Sequence, residues 1–186
     1  MNHDMYVISL VTTGEEGYPQ DEVVEVAICG LDTERMDIES VYSSTIFIPA
    51  ERWTDERRRY VMEHHGLGQE ELVEGREVEK VAQEVKGVLQ GQVVTSFNVK
   101  SDFFGHLLYE PWDLTGEASI APSINLRSAE ACRIPLELRD GGNMLTLTYE
   151  AMFPYDPAQV DGGHRALDDA LRASTILLEL RRAGRY

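Results

Sequence analysis

The sequence has little cysteine and little lysine, and it contains no long apolar run. Cys29 and Cys132 lie in a predicted strand and a predicted helix, outside any Cys-x-x-Cys or Cys/His pairing. We therefore expect buried thiols rather than a disulfide or a zinc site. No apolar stretch approaches the roughly 20 residues that cross a bilayer, so no membrane partner is expected. The first residues lack the basic region of a secretory signal, which favours a cytoplasmic location.

The scarcity of basic residues leaves a strongly acidic chain. It has 17 Lys and Arg residues, of which only Lys80, Lys86 and Lys100 are lysines, against 33 Asp and Glu residues, and its formal net charge is −16. Such a charge repels phosphate backbones at long range and argues against broad, non-specific nucleic-acid binding. A small substrate held by bound cations is compatible with it. The acidic residues are spread along the chain, which indicates a solvated surface; a dedicated acidic docking face is the alternative.

The first half of the sequence predicts three strands followed by helices. β-Branched and apolar runs separated by short Gly- and Pro-containing turns are typical of an antiparallel meander. These strands are predicted at 6–11, 23–30 and 40–50. Thr54 then caps a predicted helix over 53–66, and an amphipathic helix over 78–89 is stopped by Gly91.

The second half alternates between predicted helices and strands. Strands are predicted at 92–97 and 123–126, and helices at 98–110, 128–133, 145–153 and 164–184. The inner face of the last helix is predicted to carry Leu167, Leu171, Ser174 and Leu178. Three strands followed by alternating elements predict an α/β domain with a mixed sheet. The 186 residues are most simply one domain with a core of its own.

Three short polar motifs are candidates for chemistry. The first is the Ser-Leu-Val-Thr-Thr-Gly segment over 9–14, at the end of the first strand. The second is Asn98 followed by Asp102 at a strand-to-helix junction, and the third is His164 followed by Asp169 on the last helix. Taken singly, each aspartate near a helix start could simply complement the helix dipole. The combination and its order are more specific.

In this order and setting, the motifs resemble those of the DnaQ-like, DEDDh-type 3′–5′ exonucleases. The family's first motif, Asp-x-Glu-Thr-Thr-Gly, corresponds to 9–14. Its second, Asn-x-x-x-Asp, corresponds to Asn98 and Asp102, and its third, His-x-Ala-x-x-Asp-Ala, to 164–170. The resemblance covers nearly the whole chain. It implies a single exonuclease-type domain over 1–186 with a ribonuclease H-like α/β fold, in which helices flank a central mixed five-stranded sheet.

The resemblance also implies an incomplete catalytic set. In the family, the motif-one Asp and Glu join two later aspartates to hold two Mg²⁺ or Mn²⁺ ions, and the histidine acts as general base. Here His164, Asp102 and Asp169 match, but Ser9 and Val11 stand at the two motif-one carboxylate positions. A neutral hydroxyl is a poor ligand for these ions and valine is none. Asp102 and Asp169 are therefore expected to bind metal weakly at most, with little or no two-metal nuclease activity.

The nucleotide-holding residues are better preserved. In the family, the Thr-Thr-Gly turn contacts the terminal nucleotide, and Thr12, Thr13, Gly14 and Asn98 match here. The resemblance therefore implies a degenerate exonuclease domain that binds a nucleotide or a single-stranded nucleic-acid 3′ end.

Two alternatives stay open. Glu15, Glu16 or Glu25 could replace the missing ligands and give an active exonuclease that depends on Mg²⁺ or Mn²⁺. Otherwise the fold could serve as a protein–protein adaptor that forms a homodimer or binds another protein.

Overall fold

The computed structural model describes residues 3–134, 144–154 and 164–186. Its strands are β1 (Met5–Thr12), β2 (Val23–Asp32), β3 (Asp37–Thr45), β4 (Val93–Thr95) and β5 (Ser119–Ile120). Its helices are α1 (Asp55–His65), α2 (Gln69–Val73), α3 (Val78–Leu89), α4 (Val99–Asp102), α5 (Ile124–Ala131), α6 (Met144–Met152) and α7 (Ala166–Arg182).

The strands form one mixed five-stranded sheet in the order β3-β2-β1-β4-β5. β1, β2 and β3 are successive antiparallel neighbours, whereas β4 and β5 run parallel to β1. The mixed sheet and the antiparallel meander are therefore confirmed. The third strand ends at Thr45 rather than Ala50, since Ile46 leaves β3 and makes a separate bridge with Arg76.

The predicted strand at 123–126 is wrong. These residues begin α5, and the fifth strand is the two-residue segment Ser119–Ile120. The Ser123 hydroxyl donates to the Phe97 carbonyl at 3.0 Å and accepts from the Val99 N–H at 3.0 Å, so it joins the end of β4 to the start of α5. A short apolar run has no period that separates a strand from the first turn of a helix.

Two apolar clusters fill the two faces of the sheet. α7 lies across β1, β2 and β3, and its inner residues pack with Val7 and Val11 of β1. α3 covers the opposite face, where Ile8 of β1 is buried. The predicted inner face of α3 is confirmed, with Val81, Ala82, Val85 and Leu89 buried. Side-chain alternation along β1 thus assigns its odd-numbered residues to the α7 face.

The inner face of α7 was predicted only in part. Ser174 and Leu178 are buried, but Leu171 is 38% exposed. The contact face runs instead through Ala166, Ala170 and other small residues, which let the helix approach the sheet closely.

The predicted helix over 98–110 is interrupted by a π-helical turn. α4 is a single turn, and Phe103–Leu107 follows as a π turn in which the Leu108 N–H reaches the Phe103 carbonyl at 3.0 Å. The Gly105 carbonyl accepts the Tyr18 N–H at 2.8 Å. Gly17 has a φ of +82°, and a Cβ there would lie 3.3 Å from this carbonyl oxygen. The loop that follows β1 is thereby fastened to the helix that follows β4.

Both cysteines are free thiols. Cys29 is buried in β2 and Cys132 is half-buried just beyond the end of α5. Burial raises the pKa of the Cys29 thiol to about 11, so it is an inert core residue as predicted. Among the described residues, no helix has the length and apolar character that crossing a membrane requires.

Candidate functional site

The three motifs meet where the end of β1 lies beside the starts of α4 and α7. Ser9 is half-buried on β1, opposite Ala27 of β2. Val11 is only 1% exposed and belongs to the apolar cluster that contains Ala166 and Ala170 of α7. Position 11 is thus an apolar packing position under the last helix.

The cross-strand partner of Val11 is Glu25, whose carboxylate is fully committed to α7. Arg165 donates from Nη2 to Glu25 Oε1 at 2.7 Å and from Nε to both carboxylate oxygens at 3.1 and 3.2 Å. The Ala166 N–H donates to Oε2 at 2.8 Å, and a carboxylate at this helix end also complements the dipole. These contacts form what we call the Glu25–Arg165 clamp.

The clamp extends to α2 and leaves Glu25 little freedom. Arg165 Nη1 also pairs with Glu71 at 3.1 Å. The hydrogen bonds that Arg165 donates to Glu25 raise the pKa of Arg165 above its usual range, which keeps the guanidinium charged. Glu25 is 5% exposed, so the pair is largely withdrawn from water. Of the three substitute metal ligands considered from the sequence, Glu25 is therefore already bound by the guanidinium group of Arg165.

Glu15 and Glu16 lie in the exposed loop after the Thr-Thr-Gly turn. The Tyr60 hydroxyl donates to Glu15 Oε1 across a long 3.5 Å contact. Neither side chain is on β1, where motif-one ligands are aimed at the α7 face. The loop itself is fixed by a residue that the sequence did not single out, Asp21.

Asp21 organises the Thr-Thr-Gly turn. Its Oδ1 accepts from the Thr13 hydroxyl at 3.2 Å, and its Oδ2 accepts from the N–H groups of Glu16 and Gly17 at 2.7 and 3.2 Å. A Cβ on Gly14 would lie 2.5 Å from Asp21 Oδ1. A side chain at position 14 would therefore displace this carboxylate and disturb its hydrogen bonds.

Both threonine hydroxyls of the turn are used internally. Thr12 Oγ1 donates to the Gly14 carbonyl at 2.7 Å, and Thr13 Oγ1 accepts the Glu22 N–H at 3.0 Å. Within the described ranges, the N–H groups of Gly14 and Glu15 have no hydrogen-bond partner. The turn thus presents main-chain donors rather than hydroxyl groups.

His164 and Asp169 of the third motif lie in contact. His164 Nδ1 lies 3.4 Å from Asp169 Oδ1, and His164 Nε2 lies 3.5 Å from the Thr146 hydroxyl. His65 Nδ1 donates to the His164 carbonyl at 2.6 Å and fixes the residue before α7. The hydrogen bond with Asp169 raises the pKa of His164, although burial acts in the opposite direction. The imidazole is thereby favoured in its protonated form.

Asp169 also pairs with a cation on its own helix. Arg172 Nη1 donates to Asp169 Oδ1 at 3.2 Å, one turn further along α7. The same oxygen therefore faces both His164 and Arg172. Arg172 was not predicted, although the spacing of three residues between Asp169 and Arg172 is typical of such helix pairs.

Asp102 lies at the end of α4 and is influenced by Asp169. Its N–H donates to the Asn98 carbonyl at 3.0 Å, and the Asn98 side chain caps α4 by accepting the Ser101 N–H at 3.4 Å. Burial, with a smaller contribution from the negative charge of Asp169, raises the pKa of Asp102 to about 7. Near neutral pH the carboxyl group can therefore carry a proton and donate a hydrogen bond.

The side chains at this site do not form a ligand set for two divalent ions. Among the residues that the structure describes, no group of three or more His, Cys, Asp or Glu side chains is arranged to hold a metal. Val11 offers no ligand atom, Asp169 is paired with Arg172, and Glu25 is held by Arg165. We derive no metal-dependent step for this site.

The family assignment rests on comparison with known proteins. A sequence model of the exonuclease family RNase T matches residues 12–177 of the chain. The chain belongs to this exonuclease family. The matched span begins directly after Val11, so Ser9 and Val11 lie outside it. Exonucleases of this kind use divalent metals. A comparison with curated proteins gives no match.

Solved exonuclease structures share the fold at low sequence identity. A 3′-exonuclease solved for 3′-end-specific recognition of a histone mRNA stem-loop has a TM-score of 0.70 and 16% identity, over 100% of this chain and 84% of that one. The nuclease domain of 3′hExo, a DEDDh family member bound to rAMP, has a TM-score of 0.68 and 17% identity, over 98% of this chain and 94% of that one.

A third similar structure is the zinc-bound complex of Escherichia coli ExoI with single-stranded DNA. Its TM-score is 0.68 at 16% identity, and the match covers 96% of this chain but 40% of ExoI. These likenesses confirm the predicted ribonuclease H-like exonuclease fold.

Proposed function

We propose that this member of the family is a degenerate exonuclease domain, one that binds a nucleotide or a single-stranded 3′ end and has little or no two-metal nuclease activity. The observation that carries the proposal is the pairing of Val11 with Glu25. One position contributes an apolar side chain to the core, and the carboxylate beside it is bound by Arg165 and Ala166.

An active enzyme with substitute carboxylates is the less favourable alternative. To ligate a metal, Glu25 would have to leave Arg165, which costs about 2–3 kcal/mol for this largely buried pair, since Arg165 is 30% exposed. Glu15 and Glu16 would have to bring the exposed loop back over β1, although Asp21 binds the main chain of Glu16. Both routes oppose contacts that hold the loop and α7 in place.

Binding without cleavage is supported by the free donors of the site. The N–H groups of Gly14 and Glu15 and the Asn98 side-chain amide have no acceptor among the described residues. The hydrogen bond with Asp169 raises the pKa of His164, and Asp102 can carry a proton near pH 7. Such donors suit the hydroxyl and phosphate oxygens of a terminal nucleotide. The similar structures with bound rAMP and single-stranded DNA support the same class of ligand.

Binding is best tested with a fluorescent single strand of about ten nucleotides, measured by anisotropy with EDTA and at low salt. We expect saturable binding that AMP competes away. Asn98→Ser keeps a capping oxygen but removes the amide donor, and it should weaken binding by about five- to ten-fold. Glu56→Gln, on an exposed part of α1, is the matched control and should change nothing. Absence of binding by the native protein would overturn the binding part of the proposal.

The metal part is tested by calorimetric titration with Mn²⁺. The native protein should bind at most one ion weakly, whereas Ser9→Asp/Val11→Glu should bind two. A nuclease assay with Mn²⁺ on the same strand runs beside it. Two tightly bound ions or strand shortening by the native protein would refute the degenerate-site proposal.

A further inference from the structure

A cleft of about 310 Å³ adjoins the Thr-Thr-Gly turn through Asp21, which lines it. Val23, Ile46 and Trp112 line it, and they belong to the apolar cluster on the sheet face opposite α7. Tyr18 and His106 also line it, and we call the cleft formed by these five residues the Trp112 cleft. Its volume is at the lower end of the range for small-molecule sites. None of the motif residues that meet at the candidate site lines it.

Two largely buried side chains line this cleft, and their polar atoms bond to no other described residue. His106 is 6% exposed and Trp112 is 4% exposed. Neither the imidazole nitrogens nor the indole N–H belongs to the fully buried polar atoms that lack a partner, so these atoms are open to the cleft. They are therefore available to hydrogen-bond a molecule that binds there. Burial lowers the pKa of His106, which leaves a neutral ring with one donor and one acceptor.

The charges around the cleft select the class of that molecule. Arg52 and Arg57 line it, but both are paired with Glu22. Glu79 and Glu110 line it as exposed carboxylates, and neither has a cationic partner in the described part of the chain. Asp21 lines the cleft as well, so four carboxylates face two arginines. The net charge of the lining is therefore negative, which repels phosphates and attracts cations.

An aromatic surface stands at the same cleft. The ring of Tyr18 stacks on that of Tyr109, with centroids 4.7 Å apart and planes 13° from parallel. The two side chains are 48% and 43% exposed, which is high for such large rings in a fixed stack. Aromatic faces beside carboxylates form the surroundings that organic cations prefer in proteins.

We propose that the Trp112 cleft binds a small organic cation with a flat apolar body. The body lies against Tyr18 and Trp112, His106 supplies a neutral hydrogen-bonding group, and the ammonium group lies near Glu79 and Glu110. This site does not depend on the nucleotide-binding proposal, since it shares none of the donors invoked there.

The test uses three probes with one body and different charges: phenethylamine, 2-phenylethanol and phenylacetate. Trp112 is the reporter, by NMR of its indole N–H in a Trp53→Phe variant, which leaves a single tryptophan. We expect phenethylamine to shift this signal saturably with a dissociation constant below about 1 mM. 2-Phenylethanol should bind about five-fold more weakly, and phenylacetate should not bind.

Charge-removing variants decide whether the carboxylates act as proposed. Glu79→Gln/Glu110→Gln should weaken phenethylamine binding by about five-fold and leave 2-phenylethanol binding unchanged, because both residues are exposed and the fold does not need them. Glu56→Gln is again the control. Three outcomes would overturn the proposal: no shift of the Trp112 signal up to about 10 mM amine, equal binding of phenylacetate, or no effect of the double variant.

Discussion

Removal of the Arg165 side chain is the most direct test of the Glu25–Arg165 clamp. Arg165→Ala deletes three hydrogen bonds to Glu25, of 2.7, 3.1 and 3.2 Å, and the contact with Glu71 at 3.1 Å. Glu25 is then a carboxylate that is 5% exposed and supported only by the Ala166 N–H. The expected decrease in the free energy of unfolding therefore comes from leaving a buried carboxylate without its cation, and not from the loss of a surface ion pair.

The expected magnitude follows from burial. Removing one partner of a fully buried pair costs about 3–5 kcal/mol. Arg165 is 30% exposed, and water can replace it in part, so we expect the free energy of unfolding to fall by about 2–3 kcal/mol. Urea denaturation followed by circular dichroism measures this change. Arg182→Ala removes an exposed pair with Glu179 on the same helix and should cost less than about 0.5 kcal/mol.

A loss below about 0.5 kcal/mol for Arg165→Ala would refute the clamp as an energetic feature, because that is the range of an exposed surface pair.

Three further variants probe the rest of the site. Val11→Glu places a carboxylate in the core beside Glu25, so without metal it should lower the free energy of unfolding by about 3 kcal/mol; equal melting temperatures would contradict this. Asp102→Asn should stabilise the protein by at least about 1 kcal/mol at pH 8 but not at pH 4. Burial raises the pKa of Asp102 to about 7, so the native protein loses folding stability as the pH rises towards that value. An equal effect at both pH values in urea denaturation would contradict this prediction. Gly14→Ala should lower the free energy of unfolding by about 2 kcal/mol and weaken strand binding, since its Cβ would lie 2.5 Å from Asp21 Oδ1. The control is Gly87→Ala on α3, where a Cβ meets nothing within 4 Å, and it should not destabilise the protein.

The sequence predicted the elements that have a strong local pattern. β-Branched runs located β1 and β2, and the apolar period located α3. The same period also set the inner face of α3, because that helix faces a broad apolar sheet. The apolar period placed Leu171 on the inner face of α7, which is wrong, since α7 packs against the sheet through alanines that contribute little to that period. β5 has two residues, which is too short for any periodicity.

The candidate site was predicted where residues lie close together in sequence. His164 and Asp169 are five positions apart, and their contact follows from the start of α7. The link from Glu25 to Arg165 joins residues 140 positions apart, and no local pattern predicts it. Asp21 was missed for another reason: an acidic residue in a loop of an acidic chain has no distinguishing mark until Gly14 is seen against it.

Under the proposed function, the pairing of Val11 with Glu25 also bears on how a two-metal site could arise here by stepwise mutation. Ser9→Asp alone adds a single ligand, and Val11→Glu alone destabilises the fold before any ion is bound. Either single substitution therefore lowers stability or leaves metal binding without its second new ligand, and two-metal binding is expected only when both substitutions are present. On this proposal, a two-metal site requires both substitutions to be fixed together.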